Sequence, residues 1–266
     1  RQMCIRDSRS TPSKEPMTGE PALELQRIVK RFGSIPAIDG VDMRVEQGER
    51  RALLGTNGAG KTTLFNLIAG EIQATEGRMR LFGRLLGRTS VHRRARMGIA
   101  RSFQSSLLFE SLSVRQNLDL ARSGTQGRQW RIHAPAGTAQ SQRDTCRYAE
   151  RVGLAAALEC PAGLLSHGQR RQLEVGMALI QRPRLLLLDE PAAGLSPGDR
   201  PMLRQLIRDL PREMTVLMIE HDMDIALALA DSVTVMRDGR VVAEGFPQDI
   251  RSNPVVRDIY LGAAHG

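Results

Sequence analysis

The sequence contains few aromatic residues, few cysteines and no long apolar run. Phe, Trp and Tyr make up 3% of its 266 residues, and modules that bind nucleic acids by base stacking need aromatic platforms. Cys4, Cys146 and Cys160 form neither a CxxC pair nor the spacing of a metal site, so we expect reduced thiols. The clean apolar runs, such as residues 185–188, suit a buried strand and fall far short of the roughly 18 residues that span a bilayer.

Positive charge, by contrast, is in excess, at a net +9. Lysine occurs only at positions 14, 30 and 61, so arginine supplies 35 of the 38 basic residues. A basic balance of this kind serves nucleic acid or an anionic membrane in some proteins, and is simply a solvated surface in others. The scattered arginines and the scarcity of aromatic residues favour the solvated surface, and we expect no nucleic-acid partner.

The pattern along the chain predicts one α/β domain over residues 21–262, between a disordered or non-native tail at 1–20 and a short tail at 263–266. Strands at 23–29 and 37–45 lead to a glycine-rich segment and a helix that stops at Gly70. Residues from about 105 to 165 read as a helical subdomain with a loop at 123–142. From residue 166 strands and helices alternate, which is typical of a covered, largely parallel sheet, and Asp238-Gly239 predicts a hairpin turn.

The glycine-rich segment "GTNGAGKT", residues 55–62, matches G-x-x-x-x-G-K-[ST]. In such a loop the glycines let backbone N–H groups surround phosphates, the lysine reaches the outer phosphates and the Thr hydroxyl holds Mg²⁺. A chance glycine turn is the alternative. It is disfavoured because one of only three lysines stands at the required position, between a strand and a helix. The predicted nucleotide-binding residues are Gly55, Asn57, Gly58, Ala59, Gly60, Lys61, Thr62 and Thr63.

Two carboxylates follow the apolar run in "LLLLDE", residues 185–190. Ligands of open α/β sheets bind at the carboxyl ends of the strands, so Asp189 is predicted to orient Mg²⁺ and Glu190 to polarise the attacking water. Successive strand side chains point to opposite sides, which predicts different roles for the two carboxylates. Acidic residues commonly end strands, and the assignment depends on the glycine-rich loop elsewhere in the chain.

Two further polar residues end predicted strands at the same sheet edge. His221 follows the apolar "VLMI" and is placed to bond a γ-phosphate, and Gln104 ends "GIARSFQ" and is placed to touch Mg²⁺ or water. Either residue alone would be unremarkable, since a histidine after a strand is usually structural.

A second candidate anion site lies in "LLSHGQRRQ", residues 164–172. Ser166 and Gln169 have the spacing of a capping box, in which each side chain bonds the backbone of the other. A capped helix N-terminus beside Gly168 also favours bound anions. The chain therefore has two phosphate-binding segments about a hundred residues apart.

The order and spacing of these segments, over about residues 23–262, resemble the ATP-binding subunits of ABC transporters. The resemblance implies a P-loop NTPase fold with a mostly parallel core sheet, an antiparallel β subdomain and a helical subdomain. "LSHGQ" resembles the family signature, with His167 where many members have Gly. In that family the signature contacts the ATP held by a second subunit's phosphate loop, so two subunits complete two sites.

The resemblance also implies roles for single residues and for cofactors. Phe32 stands at the place of the aromatic residue that stacks on adenine, and ATP and Mg²⁺ are the implied cofactors. Glu190, His221 and Gln104 are implied as catalytic. The implied metal residues are Thr62, Gln104 and Asp189, and the implied contacts to the partner's ATP are Ser166, His167, Gly168 and Gln169.

A finer resemblance connects "NGAGKTTLFNLIAG", "ARSFQ", "EPAAGLSP", "EHDMDIALALAD" and "NPVVRDIYLG" with the ATPase subunits of branched-chain amino-acid importers. "LSHGQ" and "LEVGM" resemble the related urea-type importers. This implies an ATPase that powers uptake of branched-chain amino acids, or of a related small amide or urea, through separate permease subunits. It further implies a homo- or heterodimer, an indirect periplasmic binding protein, and a peripheral location on the cytoplasmic face of the inner membrane.

Three other functions are alternatives to the importer. A lipopolysaccharide-export ATPase shares a similar "YLG" tail, but "EHDMD" and "AGLSP" favour the importer. A nucleic-acid-linked ABC ATPase generally carries zinc cysteines, long coiled coils or a second cassette, which this sequence lacks. A non-hydrolysing regulatory subunit is disfavoured because Lys61, Asp189, Glu190 and His221 are all present.

Overall fold

The computed structural model describes residues 19–102, 108–125 and 139–261. Gln104, most of the tail predicted at 1–20 and the centre of the loop predicted at 123–142 lie outside these residues.

The strands of the described residues form two sheets. In chain order they are β1 (Leu23–Phe32), β2 (Ile35–Val45), β3 (Arg50–Gly55), β4 (Glu76–Leu81), β5 (Arg84–Leu85), β6 (Ile99–Ser102), β7 (Leu185–Asp189), β8 (Thr215–Ile219), β9 (Ser232–Arg237) and β10 (Arg240–Gly245). The helices are α1 (Lys61–Ala69), α2 (Val91–Arg96), α3 (Val114–Thr125), α4 (Ala139–Arg151), α5 (His167–Leu179), α6 (Arg200–Arg208), α7 (Met223–Leu229), α8 (Pro247–Ser252) and α9 (Pro254–Leu261).

The larger sheet has the order β10-β9-β3-β8-β7-β6, and its pairs are parallel except for the β9–β10 hairpin. Both faces are covered. Along β7, Leu185 and Leu187 belong to one hydrophobic core, and Leu186 and Leu188 belong to the other. Continuous apolar strands are typical of parallel sheets buried on both sides, and the predicted sheet is confirmed.

The turn between β9 and β10 has positive φ at both central residues, 50° at Asp238 and 76° at Gly239. This backbone matches the twist of the flanking strands, so the predicted hairpin is confirmed.

The smaller sheet is antiparallel, in the order β2-β1-β4-β5. The sequence "EGRMRLFG" predicts a short edge strand, but β4 lies between β1 and the two-residue β5. The brevity of β5 hides it from a pattern that needs several alternating residues. One core joins this sheet to α1 and to one face of the large sheet, through Leu25, Phe65 and Leu187 among others.

Helix α1 is held at its C-terminal end by a buried arginine. Gly70 adopts φ 88° and ends the helix, and its N–H bonds to the carbonyl of Asn66 at 3.0 Å. The guanidinium of Arg94, 1% exposed, donates to the carbonyls of Leu67 and Ile68. A cation at a helix C-terminus satisfies carbonyls that have no partner within the helix. The other end of α1 follows the glycine-rich loop directly.

Helices α3 and α4 pack on α5 through a core that includes Val114, Leu118, Val152 and Leu173. The loop predicted at 123–142 is too long, because α3 continues to Thr125 and α4 begins at Ala139. Ser141, in the first turn of α4, is buried, and the local sequence does not show packing of this kind. Among the described residues, no helix combines the length and the apolarity that a bilayer crossing requires.

Candidate functional site

The glycine-rich loop follows β3, all of whose residues are buried. Gly60 has φ 98°, and a Cβ there would lie 2.6 Å from the carbonyl oxygen of Ala37, so a larger residue would clash with the backbone of β2. The loop is supported from the hairpin turn, because the N–H of Gly239 donates to the carbonyl of Ala59 at 3.1 Å. The loop therefore takes its shape from three separate parts of the chain.

Lys61 begins α1 and is 5% exposed. Its ammonium donates to the carbonyls of Gly55 at 2.8 Å and Thr56 at 2.9 Å. Burial lowers the pKa of Lys61, and the nearby carboxylates of Glu190 and Asp189 act in the opposite direction. The side chain thus places a cation at the mouth of the loop, beside the N–H groups of a helix start that favour phosphate.

Asp189 ends β7 and is completely buried. Its Oδ2 accepts a hydrogen bond from Arg101 Nη2 at 2.6 Å. Its Oδ1 is buried and has no hydrogen-bond partner among the described residues. Such an oxygen is costly unless something polar reaches it, and a hydrated cation is a partner of the required chemistry.

A magnesium ion fits these residues. Within the described part of the chain, no group of three or more His, Cys, Asp and Glu side chains is arranged to hold a metal alone. Mg²⁺ in nucleotide sites usually takes one or two carboxylates together with the phosphates. The carboxylate of Asp189 is of that type, the hydroxyl of the exposed Thr62 is a further oxygen ligand, and Gln104 lies outside the described residues.

Arg101 was missed by the sequence analysis, although it lies in the quoted segment "ARSFQ". It pairs with Asp189 and also donates to Asn66 at 2.7 Å and Glu71 at 2.8 Å. It therefore connects the end of β7 to helix α1, and holds one oxygen of Asp189 while leaving the other for a ligand. An arginine in a strand carries no local signal of this role.

Glu190 lies just beyond β7, at φ 47°. Residues other than glycine are uncommon in the left-handed region of backbone φ and ψ. Residues strained in this way cluster at functional sites. Strand alternation predicts that the Asp189 and Glu190 side chains point to opposite sides, but the strand ends at Asp189 and the turn sets the direction of the Glu190 side chain. The N–H of Glu190 donates to the carbonyl of Ile219 at 3.0 Å.

The carboxylate of Glu190 contacts His221, which follows β8. Oε1 lies 2.6 Å from His221 Nε2, and the side chains are 12% and 43% exposed respectively. The structure therefore brings together Lys61, Asp189, Glu190 and His221 from three segments distant in sequence. In this arrangement the carboxylates of Asp189 and Glu190 lie near the ammonium of Lys61, and the imidazole of His221 pairs with Glu190.

Glu220, between β8 and His221, is a second residue that the sequence analysis did not select. It is 3% exposed, and its carboxylate accepts the N–H of Ala192 at 3.2 Å. Burial raises the pKa of Glu220 to about 7, aided by the charges of Asp222 and Glu190 and opposed by backbone hydrogen bonds. The sequence gives no sign that an acidic residue at the end of a predicted strand is buried.

We expect the stability of the protein to fall as pH rises from about 4.5 to above 7, and Glu220→Gln to reduce that fall. The folded protein holds the proton of Glu220 to a higher pH than the unfolded chain, so ionisation favours unfolding across this window. The difference between the variants should reach on the order of 2–3 kcal/mol above pH 8. Urea unfolding at pH 5 and pH 8.5 measures it. The exposed Glu213→Gln is the matched control, and equal slopes for wild type and Glu220→Gln would contradict the assignment.

The signature segment forms the predicted capping box at the start of α5, which is confirmed. The N–H of Gln169 donates to Ser166 Oγ at 3.2 Å, and the N–H of Ser166 donates to Gln169 Oε1 at 3.0 Å. Gly168 is buried, and a Cβ there would lie 3.0 Å from the carboxyl carbon of Asp199. Ser166 and His167 are exposed.

The signature and the phosphate loop are separate in the chain. Among the described residues no hydrogen bond joins residues 166–169 to residues 55–62. Leu164, immediately before the signature, is 77% exposed. Large apolar side chains at a surface often mark a protein contact when they form a patch. The two anion-binding segments are therefore not joined by a hydrogen bond, and each has exposed residues, such as Thr62 and Ser166.

Tyr260 joins the C-terminal helix α9 to the phosphate loop. Its hydroxyl oxygen accepts the N–H of Gly55 at 3.0 Å, and burial raises its pKa. The segment "YLG" gives no sign of this contact in the sequence, because the two residues are 205 positions apart.

Phe32 ends β1 and is 53% exposed. The ammonium of Lys30 lies 5.0 Å from the centre of its ring. The ring is thus available at the surface for a planar ligand, and its role in stacking on adenine stays a prediction.

Comparison with known proteins gives two family matches. A model described as ABC transporter matches residues 38–193. A model described as branched-chain amino acid ATP-binding cassette transporter matches residues 240–266, which include Tyr260.

Curated relatives cover nearly the whole chain. The high-affinity branched-chain amino acid transport ATP-binding protein BraF of Pseudomonas aeruginosa is 39% identical over 256 residues, covering 92% of this chain and 99% of the relative. The protein LivG of Escherichia coli K12, described in the same words, is 35% identical over 257 residues, with coverage of 92% and 99%.

Solved structures show the same fold. The ADP conformation of an ATP-binding cassette of an ABC transporter superposes with a TM-score of 0.81 at 30% identity, covering 91% of this chain and 99% of that one. CbiO1 from Clostridium perfringens, described as part of the ABC transporter complex cbiONQ, gives a TM-score of 0.77 at 25% identity, with coverage of 91% and 95%.

Proposed function

Because this chain belongs to the family of ABC transporter ATP-binding proteins, we propose that it hydrolyses ATP to power the uptake of branched-chain amino acids through separate permease subunits. The observation that carries the choice of solute is the match of residues 240–266 to the branched-chain amino acid cassette model. BraF and LivG, whose names state that transport, align over almost their full length. The lipopolysaccharide-export and nucleic-acid alternatives have no comparable support.

The phosphate loop and Lys61 bind the phosphates of ATP. On binding, the ammonium of Lys61 exchanges the carbonyls of Gly55 and Thr56 for phosphate oxygens. The N-terminal N–H groups of α1 add to the attraction, with Asn57, Gly58, Ala59, Gly60 and Thr63 lining the loop. Phe32 stacks on the adenine, and Thr62, Asp189 and Gln104 would hold Mg²⁺, which when bound would neutralise charge on the phosphates.

Glu190 is the general base for hydrolysis. Its carboxylate accepts a proton from water as the water oxygen attacks the γ-phosphorus, the bond between the β- and γ-phosphates breaks, and ADP leaves with the electron pair. In the structure this carboxylate is held by His221. With ATP bound, His221 Nε2 turns to the γ-phosphate and releases the carboxylate to the water.

A second subunit completes each site. The exposed Ser166 and His167, with Gly168 and Gln169, contact the ATP on the partner's phosphate loop, and two subunits facing head to tail enclose two ATP molecules. The separation of the two anion-binding segments within this chain supports that arrangement. The dimer acts on permease subunits from the cytoplasmic face of the inner membrane, and a periplasmic binding protein acts indirectly through the permease.

Reconstitution with the cognate permeases and binding protein tests the proposed function. We expect leucine, isoleucine or valine to stimulate ATP hydrolysis and to be taken up into proteoliposomes in an ATP-dependent way. Lys61→Ala is the matched negative control, because it removes the ammonium that the proposal places on the phosphates. Stimulation by urea or a short amide alone would move the solute assignment to the related importers. No stimulation by any of these solutes would contradict the importer.

A further inference from the structure

Arg171 lies in the first half of the signature helix α5 and is 6% exposed. Its guanidinium reaches the chain just beyond β7. Nη2 donates to the carbonyl oxygens of Asp189 at 2.7 Å and Glu190 at 2.6 Å, and Nε donates to the carbonyl oxygen of Pro191 at 2.9 Å. One side chain therefore holds three consecutive carbonyls around the predicted catalytic base.

The charge of this guanidinium is balanced on its own helix. Nη1 donates to the carboxylate of Glu174, which is 9% exposed. Arginine stays protonated inside proteins and presents its donors in a planar fork. The ammonium of a lysine could keep the charge near Glu174, but it has no such fork to serve three carbonyls.

The carbonyls belong to the strained turn. Glu190 has φ 47°, a conformation that persists only where the surroundings determine it from several sides. On one side its N–H donates to the carbonyl of Ile219, and on the other its carbonyl accepts from Arg171. The direction of the Glu190 side chain follows from a backbone that is held at both ends.

The same helix carries the signature at its N-terminus. Ser166 caps α5, and both hydrogen bonds of the capping box are present. Arg171 follows within about one and a half turns, because 3.6 residues complete a turn. Since the cap and the helical bonds make this segment one rigid unit, a displacement of the signature moves the guanidinium with it.

We propose that Arg171 is a positioning residue that sets the Glu190 carboxylate according to the position of the signature helix. The proposal rests on the proposed function. In the dimer the signature of one subunit contacts the partner's ATP, whereas Glu190 of that subunit serves its own ATP. Arg171 therefore connects the two ATP sites, so that binding at one site prepares the base at the other.

Arg171→Lys tests the positioning role. We expect kcat for ATP hydrolysis to fall about ten- to a hundredfold, because small misplacements of a catalytic group have effects of that size. The Kd for ATP should stay within about threefold of wild type, since the phosphate contacts remain. Arg170→Lys is the matched control. Arg170 neighbours Arg171 on α5 but donates to Glu110 and to the carbonyls of Leu165 and Gly163.

Two results would overturn the positioning role. One is a kcat for Arg171→Lys equal to that of Arg170→Lys, and the other is a loss of ATP affinity and melting temperature in proportion to the loss of rate. A wild-type protein that hydrolyses no ATP would instead refute the proposed function, and the two failures are therefore distinguishable.

Mixed dimers test the connection without any change at Arg171. Differently tagged wild-type and Lys61→Ala subunits are mixed, and the heterodimer is purified in the presence of ATP. Its one complete site uses Glu190 of the wild-type subunit, whose own signature contacts no ATP. We expect its rate to lie at least about tenfold below that of a wild-type dimer. Half the wild-type rate, as two independent sites would give, would refute the connection.

Discussion

Glu190→Gln is expected to lower the rate of ATP hydrolysis by on the order of 10²–10⁴-fold, the usual effect of losing a general base. The amide keeps the size of the side chain and its hydrogen bond to His221, but cannot draw a proton from water. ATP binding should remain, because Lys61, Thr62 and Asp189 are unchanged. The variant should accumulate as an ATP-bound dimer, which size-exclusion chromatography with ATP detects.

The matched control for this substitution is Glu159→Gln, which alters an exposed carboxylate with 70% side-chain exposure. Asp189→Asn provides the contrast inside the site. It should weaken Mg²⁺-dependent ATP binding itself, because it removes charge beside the unpartnered Oδ1. Hydrolysis by Glu190→Gln at nearly the wild-type rate would show that this carboxylate is not the base.

Ser166→Arg is expected to lower the rate of ATP hydrolysis by on the order of 10²-fold or more, while ATP binding to the monomer stays nearly intact. Ser166 is exposed and shares no hydrogen bond with the phosphate loop among the described residues. A bulky cation there should prevent closure on the partner's ATP. Equilibrium binding of a fluorescent ATP analogue, measured beside steady-state hydrolysis, separates the two effects.

Mixing the inactive Ser166→Arg and Lys61→Ala proteins sharpens this prediction. Each mixed dimer has one complete site, made from the phosphate loop of the first subunit and the signature of the second. Activity should therefore return, but only to about a twentieth of the wild-type value or less. Random pairing makes about half of the dimers mixed, and the connection proposed through Arg171 lowers the rate of a dimer with one working site at least about tenfold. If the signature served its own chain, neither subunit would have a complete site, and no activity would return. Loss of monomer ATP affinity in Ser166→Arg would point the same way.

Local sequence was sufficient for the elements whose signal lies in neighbouring residues. The capping box of Ser166 and Gln169 and the turn at Asp238-Gly239 each depend on side chains within a few positions. The apolar run at 185–188 was enough to predict a covered parallel strand, because such strands bury both faces. The phosphate loop was equally predictable from the sequence, since its glycines and Lys61 lie within eight consecutive residues.

Only the tertiary structure decided how the side chains of those segments are oriented toward one another. Arg101 pairs with Asp189 across 88 positions, and Tyr260 reaches Gly55 across 205. The left-handed turn at Glu190, the guanidinium of Arg171 behind it and the raised pKa of Glu220 arise from burial and from hydrogen bonds between separate segments. Periodicity and propensity report on adjacent residues, whereas these contacts exist only after distant parts of the chain have packed together. The sequence thus identified the chemistry of the site, and packing determined which residues position it.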